Sequence, residues 1–338
     1  MSDWASSDGI VPLRLVDWLA LTRPVDWLFS AYNLILAALW LSAAGRSAAA
    51  LWLAGLHVGV AILPWPIRAA SARGSAVASV IADLYPVVAV AFVWGELGKI
   101  LPLLHPHPFD AAALRVESWA LGAHWHARWM AADPSLWLSE LMYAAYSSFY
   151  VLLVGTPLVM LLTGRRAQLR TLGARLLLTY VVCALFDFVW PVVGPTPVLP
   201  AHSDIAHGLF FQLTALVQHT GDSLGTSFPS THVAAALTIA CCAWAWSRPV
   251  LAAVITLDAV AITFSTVYTQ NHYAIDAIAG ALVAGTIQVA IVVWRRRGAV
   301  SSTMAEPSHH SAARPIARPS RLRPAEPPAP ATPARPDR

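Results

Sequence analysis

Residues 249–294 read PVLAAVITLDAVAITFSTVYTQNHYAIDAIAGALVAGTIQVAIVVW. Two apolar runs flank a short polar break, TQN, and each run is about the 20 residues that cross a bilayer core. Asp258 and Asp276 are the only charged side chains in the stretch. Such runs specify a membrane helical hairpin, because in lipid every backbone N–H and C=O must be satisfied within the helix. The second run opens with His272 and carries Asp276 one turn later. Ionisable groups are costly in a span and are functional suspects by default.

The apolar pattern extends outward from this hairpin over most of the 338 residues. The chain is 57% hydrophobic and 12% charged, against about 25% charged in an average soluble domain. Its mean hydropathy is +0.58. The runs predict an all-α, polytopic membrane bundle of about eight transmembrane helices, at 25–44, 49–67, 76–95, 138–162, 172–193, 230–247, 249–268 and 272–294. Pro24 and Pro249 suit the first turn of a helix, where a missing N–H costs nothing. The expected organisation is an N-terminal segment 1–24, a transmembrane domain 25–297 and a tail 298–338. Within the domain, an outer interfacial segment 98–137 precedes a core 138–297. The tail is rich in Pro, Ala and Arg and is expected to be disordered. The first residues lack a basic stretch followed by a short apolar core, so no cleavable signal peptide is expected. Cys183, Cys241 and Cys242 lie in apolar runs and read as packing residues, not as a disulfide framework.

Charge sets the expected topology. From Arg295 onward nine arginines face three acids, so the net +4 of the chain comes from its end. A basic patch beside a span suits anionic lipid headgroups and excludes nucleic acid as the expected partner. With a cytoplasmic N-terminus, nine Arg residues fall in inner segments (14, 23, 68, 73, 165, 166, 170, 175, 248), and Arg46, Lys99, Arg115 and Arg128 in outer ones. That bias, with the arginine-rich tail also inside, follows the positive-inside rule and favours eight spans over seven. The segment 98–137, rich in Trp and His, is expected to hold an interfacial amphipathic helix.

Two histidines occupy matching places. His232 lies in SFPSTHV, residues 227–233, which opens the sixth helix, and His272 opens the eighth. They are 40 residues apart, about two spans, so the chain crosses, returns and brings both to one outer surface. At i and i+4, His272 and Asp276 are expected to stack on one helical face. A carboxylate there can fix the imidazole tautomer and leave the other nitrogen as nucleophile. A second histidine can protonate the leaving oxygen, typically worth about 10²–10⁴-fold. Ser230 and Thr231, at a helix N-terminus, are candidates to hold phosphate oxygens, with helix capping as the equal alternative for Ser230. Ala234, Ala235, Ala236, Gly280 and Gly285 would let these helices approach closely.

FPSTH followed by HYAIDAIAG resembles the type-2 phosphatidic acid phosphatase superfamily of membrane lipid phosphatases and phosphotransferases. The resemblance implies that His272 becomes phosphohistidine, that His232 is the general acid, that Asp276 activates His272 and that Ser230 helps to hold phosphate. It implies a lipid or isoprenoid phosphate ester as substrate, and no cofactor or metal. Two features depart from the family. The usual Lys, with Arg-Pro seven residues on, is missing before FPSTH; Thr22-Arg23-Pro24 sits at the inner end of the first helix and reads as a decoy. Where the third motif usually has Ser-Arg, this chain has Ser265-Thr266. Together with WPVVGPTP at 190–197, these departures resemble the inositolphosphotransferase branch, which includes the inositol phosphorylceramide synthases. Arg128, Arg115, Lys99 or an outer-loop histidine could supply the missing charge. The rival reading is a non-catalytic transporter or assembly protein that keeps the scaffold; a metal-dependent outer-face enzyme is a third.

Other polar residues receive plainer readings. His202, Asp204 and His207, like His105, His107, His124 and His126, read as free loop residues rather than metal ligands, since no third ligand has suitable spacing. Asp187 is a candidate for the border of the site, and Asp83 and Asp258 for interhelical hydrogen bonds. Tyr143, Tyr146 and Tyr150 share a helical face and read as packing or interface anchors.

Overall fold

The computed structural model describes residues 22–132, 135–196, 208–221 and 223–304. Among these lie twelve helices and, besides them, an isolated bridge between Val192 and Thr226. The first helix, α1 (Pro24–Ser42), starts at its proline, and the Asp26 carboxylate accepts the Arg23 N–H at 2.7 Å. The second expected span is two helices, α2 (Ala50–Ile62) and α3 (Pro64–Ala72), divided at Leu63 because Pro64 has no N–H to continue the ladder. Helix α4 (Ala76–Leu104) is capped by Ser75 and runs nine residues past its expected end at 95. Residues 98–104 therefore belong to a membrane helix, not to the interfacial segment. Their apolar side chains, Ile100 and Leu101 above all, are buried against neighbouring elements.

The interfacial segment contains α5 (Asp110–Leu121) and α6 (Trp125–Ala132). Then come α7 (Leu136–Leu162) and α8 (Arg166–Val189). Helix α8 starts earlier and ends earlier than its expected 172–193. It begins after Gly164, held at φ 71°, and stops before Trp190, which precedes a proline and so disfavours the α-region. A short helix the hydropathy pattern did not assign, α9 (Leu209–Gly221), lies in the segment that follows α8. Glu140 of α7 accepts the N–H groups of Phe210 and Phe211 at its head. The chain closes with α10 (Thr231–Trp246), α11 (Pro249–Tyr268) and α12 (Ala274–Met304). The tail was expected from Gly298, yet α12 continues through Met304; residues 305–338 lie outside the described ones. Among the described residues, those up to 292 belong to one compact unit and 293–304 to another.

Seven helical runs among the described residues are long and apolar enough to cross a membrane, with α2 and α3 counted together. The one remaining expected span, the sixth, is α10, which has 16 residues and is about 24 Å long. Its environment explains its brevity. Its first turns, with Ala234, Ala235, Ala236 and Ile239, are buried on nearly all sides by protein, while Cys241 and Trp244 near its end are exposed. Helices α4, α8 and α10 pack through Leu97, Leu172, Leu176 and Ile239. Outward, Phe92, Val151, Leu162 and Leu257 are exposed apolar side chains of the kind a bilayer covers. The intramembrane acids behave in two ways. Asp258 accepts a hydrogen bond from the Ser148 hydroxyl at 2.8 Å, as expected. Asp83 also accepts an interhelical hydrogen bond, from Arg166 Nε at 2.7 Å, and there the donor is a cation, so the contact is an ion pair as well.

Candidate active site

The chain leaves α11 at Tyr268 and turns through Gln270, at φ 61°. It reaches His272 before α12 begins. The His272 N–H donates to the Thr266 carbonyl at 3.0 Å, so this residue belongs to the turn. The expected stacking of His272 and Asp276 on one helical face is corrected accordingly. Asp276 sits in the first turn of α12 and its Oδ2 accepts the Tyr273 N–H at 2.9 Å, half of a capping box. Held there, Oδ2 stands 3.6 Å from His272 Nδ1, outside hydrogen-bonding range.

Ser227 fills the gap. Its carbonyl oxygen lies 2.9 Å from His272 Nδ1 and its Oγ 3.0 Å, while the hydroxyl donates to Asp276 Oδ2 at 2.8 Å. A carbonyl only accepts, so the network assigns the proton to Nδ1 and leaves the lone pair of Nε2 free. That nitrogen faces His232 Nδ1 at 3.5 Å. The second nitrogen of His232 lies 3.2 Å from the Tyr146 hydroxyl. Both rings are buried, and His232 is walled by Phe149 (ring centroids 4.4 Å apart) and Trp94 (6.1 Å). Tyr146 is thus part of the site. Tyr143 packs on Phe211 and Tyr150 on Phe149.

The hairpin brings the two histidines together by close packing. Ser230 N–H donates to the Asp276 carbonyl at 3.0 Å, joining the heads of α10 and α12. Gly280 makes this possible, because a Cβ there would overlap the Ser230 carbonyl; Gly285 faces open space and has no such part. Ser230 Oγ caps α10 by accepting the Val233 N–H at 3.4 Å. The cleft beside the histidines is lined instead by Trp94, Tyr146, Ser223, Thr226, Ser227 and Asn271. The Trp94 indole nitrogen is a buried donor without a hydrogen-bond partner among the described residues. No Lys or Arg occurs among the described residues of that lining, so Lys99, Arg115 and Arg128 do not supply the missing charge there. Lys99 is 66% exposed and faces Glu96. At Ser265 and Thr266 both hydroxyls donate to carbonyls of their own helix, Ile262 and Thr263.

The proline-rich segment after α8 borders the site as well. Gly194, at φ 93°, lies so close that a Cβ would stand 2.9 Å from Ser227 Oγ and 3.0 Å from the Asn271 carbonyl. Asp110 of α5 accepts the N–H groups of Val193 and Gly194 and the Tyr273 hydroxyl. Seven residues on, buried Glu117 accepts the Ala274 N–H at 3.0 Å. His126 and His124, expected to be free, flank that carboxylate at 3.3 and 3.7 Å. His105 is also bound, to the Phe188 carbonyl, whereas His107 is exposed. Asp187 is buried behind the cleft, within electrostatic reach of Asp276, and its oxygens have no hydrogen-bond partner among the described residues. His202, Asp204 and His207 lie outside the described residues. No group of three His, Cys, Asp or Glu side chains among the described residues could hold a metal ion.

Residues 114–290 match the model of the PAP2 superfamily. The chain belongs to this superfamily. No curated protein and no solved structure matches it. The PAP2 match begins inside α5 and ends inside α12, so it includes the interfacial helices together with both histidines. PAP2 membership makes phosphatase or phosphotransferase chemistry the activity class, and the seven apolar runs make this PAP2 protein a multi-pass membrane one.

Proposed function

We propose that the protein is a phosphotransferase or phosphatase of membrane lipids that works through a phosphohistidine on His272. The observation that carries this reading is the grip of Ser227 on His272 Nδ1, which leaves the Nε2 lone pair facing the second histidine. In the first step Nε2 forms a bond to phosphorus, the bond from phosphorus to the alcohol oxygen breaks, and His232 gives that oxygen its proton. The imidazolium so formed is stabilised by Asp276 through the Ser227 hydroxyl. Water or an acceptor alcohol, deprotonated by His232, then attacks phosphorus and releases the histidine. Side chains alone carry both steps, so a chelator should leave the rate unchanged.

The lining of the cleft favours one class of ester. A phosphomonoester approaches two negative charges at neutral pH, its second pKa being about 6; a phosphodiester has one. Burying the doubly charged group without a cation is the costlier choice. A lining of hydroxyls, Asn271 and the unspent Trp94 indole N–H suits the diester, and hence transfer of a phospholipid headgroup as in an inositolphosphotransferase. The groove between α11 and α12, roofed by Trp125 and Trp129 and floored by Phe264 and Ala277, would take acyl chains beside the reacting phosphate. The arginine bias of the sequence supports cytoplasmic termini and a cleft that faces outward.

The test uses purified protein in bilayers, given labelled phosphatidylinositol or phosphatidic acid, with and without added inositol or other alcohols. Headgroup transfer from the diester is expected to dominate. Faster phosphate release from phosphatidic acid, indifferent to acceptor, would overturn the diester reading while leaving the phosphohistidine intact. His232→Ala should lower turnover of an alkyl ester by about 10²–10⁴-fold. The same variant should recover most of the rate on a nitrophenyl ester, whose leaving group needs no proton. Ser227→Ala should reduce kcat by about 10–100-fold, as loss of an orienting partner does, with KM little changed. An unaltered kcat would remove the Ser227 hydroxyl from the mechanism and leave its backbone carbonyl, which the variant retains, as the group that holds Nδ1.

A further inference from the structure

The end of the bundle away from the two histidines gathers four arginines around two aspartates. Arg68, near the end of α3, donates to both carboxylate oxygens of Asp26 at 3.0 and 2.8 Å, and the Tyr85 hydroxyl donates to the same carboxylate. That pair is buried and neutral. Asp83 on α4 is different. Arg166 donates to its Oδ2 at 2.7 Å and to the Ser79 hydroxyl at 3.0 Å. Arg23 and Arg170 approach the other oxygen but stop at 3.5 and 3.6 Å, beyond a good hydrogen bond. One carboxylate therefore faces three guanidinium groups, leaving an excess of two positive charges.

Exposure shows where that excess is directed. Asp83 is 2% exposed, while Arg23, Arg166 and Arg170 are 36–40% exposed, so the cations form the outer layer. Burial, then the neighbouring Arg68 and Arg170 cations, lower the pKa of the Arg23 guanidinium, against the opposite pull of Asp83 and Asp26. Two helices, α1 and α8, also begin here and add their positive ends. Nearby on the same ends of α4 and α7, Val77 and Leu162 are apolar and more than 70% exposed.

We propose that Arg23 and Arg170, backed by Arg166, bind the phosphate of an anionic phospholipid at the membrane face opposite the catalytic cleft. The planar guanidinium forks, carried by different helices about one carboxylate oxygen, match the donor pattern a phosphodiester accepts. The occupant is a lipid rather than free phosphate because the arginines cap membrane helices whose exposed apolar flanks continue along an acyl chain. A bound headgroup would neutralise the excess charge and tie α1, α4 and α8 together. This site does not depend on the proposed reaction.

The test is lipid binding by the full chain, read by native mass spectrometry from a neutral detergent. Phosphatidylglycerol should be retained at least tenfold better than phosphatidylcholine. Arg23→Gln with Arg170→Gln should weaken that retention at least tenfold, and Arg170→Gln alone should weaken it in part. Asp83→Asn should strengthen it, since the competing carboxylate is gone, whereas a purely structural ion pair predicts no gain. Equal retention by wild type and the double variant, or weaker retention by Asp83→Asn, would overturn the site. Displacement of phosphatidylglycerol by millimolar inorganic phosphate would overturn its assignment to a lipid.

Discussion

His272→Ala protein, purified and returned to bilayers, is expected to lose lipid phosphoester turnover by about four to six orders of magnitude, the scale seen when a nucleophile is removed. Wild type quenched during turnover should carry a phosphoryl group on His272, with the headgroup still esterified when the substrate is a diester, and the variant none. The attachment should be at Nε2, because Nδ1 is held by the Ser227 carbonyl at 2.9 Å. Phosphate on Nδ1 would contradict the tautomer the network assigns. Unchanged turnover in both His272→Ala and His232→Ala would leave a transporter or assembly protein as the better reading of the scaffold.

Gly280→Ala is expected to lose most activity while the protein remains folded. The added methyl meets the backbone carbonyl of Ser230, which cannot rotate away as a flexible side chain could. Overpacking of this kind costs about 1–3 kcal/mol. Here the strain separates the heads of α10 and α12, lengthening the Ser230–Asp276 backbone bond and the 3.5 Å approach of His232 to His272. A thermal shift of a few degrees with an activity loss of tenfold or more is the expected pattern. Gly285→Ala, which faces open space, is the control and should change neither. Equal behaviour of the two variants would mean that the approach of α10 to α12 does not set the geometry of the histidines.

The sequence made the bundle legible because each span needs its own apolar run, and such runs are local. The histidine pair was legible for the same reason: two spans of known length return the chain to its starting face. What escaped depends on contacts between distant segments. Ser227 looks like an ordinary residue before a proline; its link to Asp276 exists only once α10 and α12 are adjacent. Tyr146 sits 86 residues from His232, and a tyrosine face on a membrane helix more commonly packs. The interfacial histidines could not be paired from spacing alone, because their partner, Glu117, is buried by the head of α12. Helix ends were misjudged where hydropathy and hydrogen bonding part company, as at Gly98–Leu104, which continue α4 beyond a polar Glu96 and Lys99.

Asp110 and Glu117 are two turns apart on α5, a helix that lies outside the spans. Between them they hold the amides of Val193 and Gly194 and that of Ala274. The same helix leaves Trp119 87% exposed, a side chain suited to the bilayer surface. A single helix thus fastens two walls of the cleft, one beside Ser227 and one beside His272. We expect α5 to bind the bilayer surface through Trp119, so that loss of the bilayer frees both walls and slows the reaction. Hydrogen exchange at those three amides should accelerate together when bilayer is replaced by a short-chain detergent.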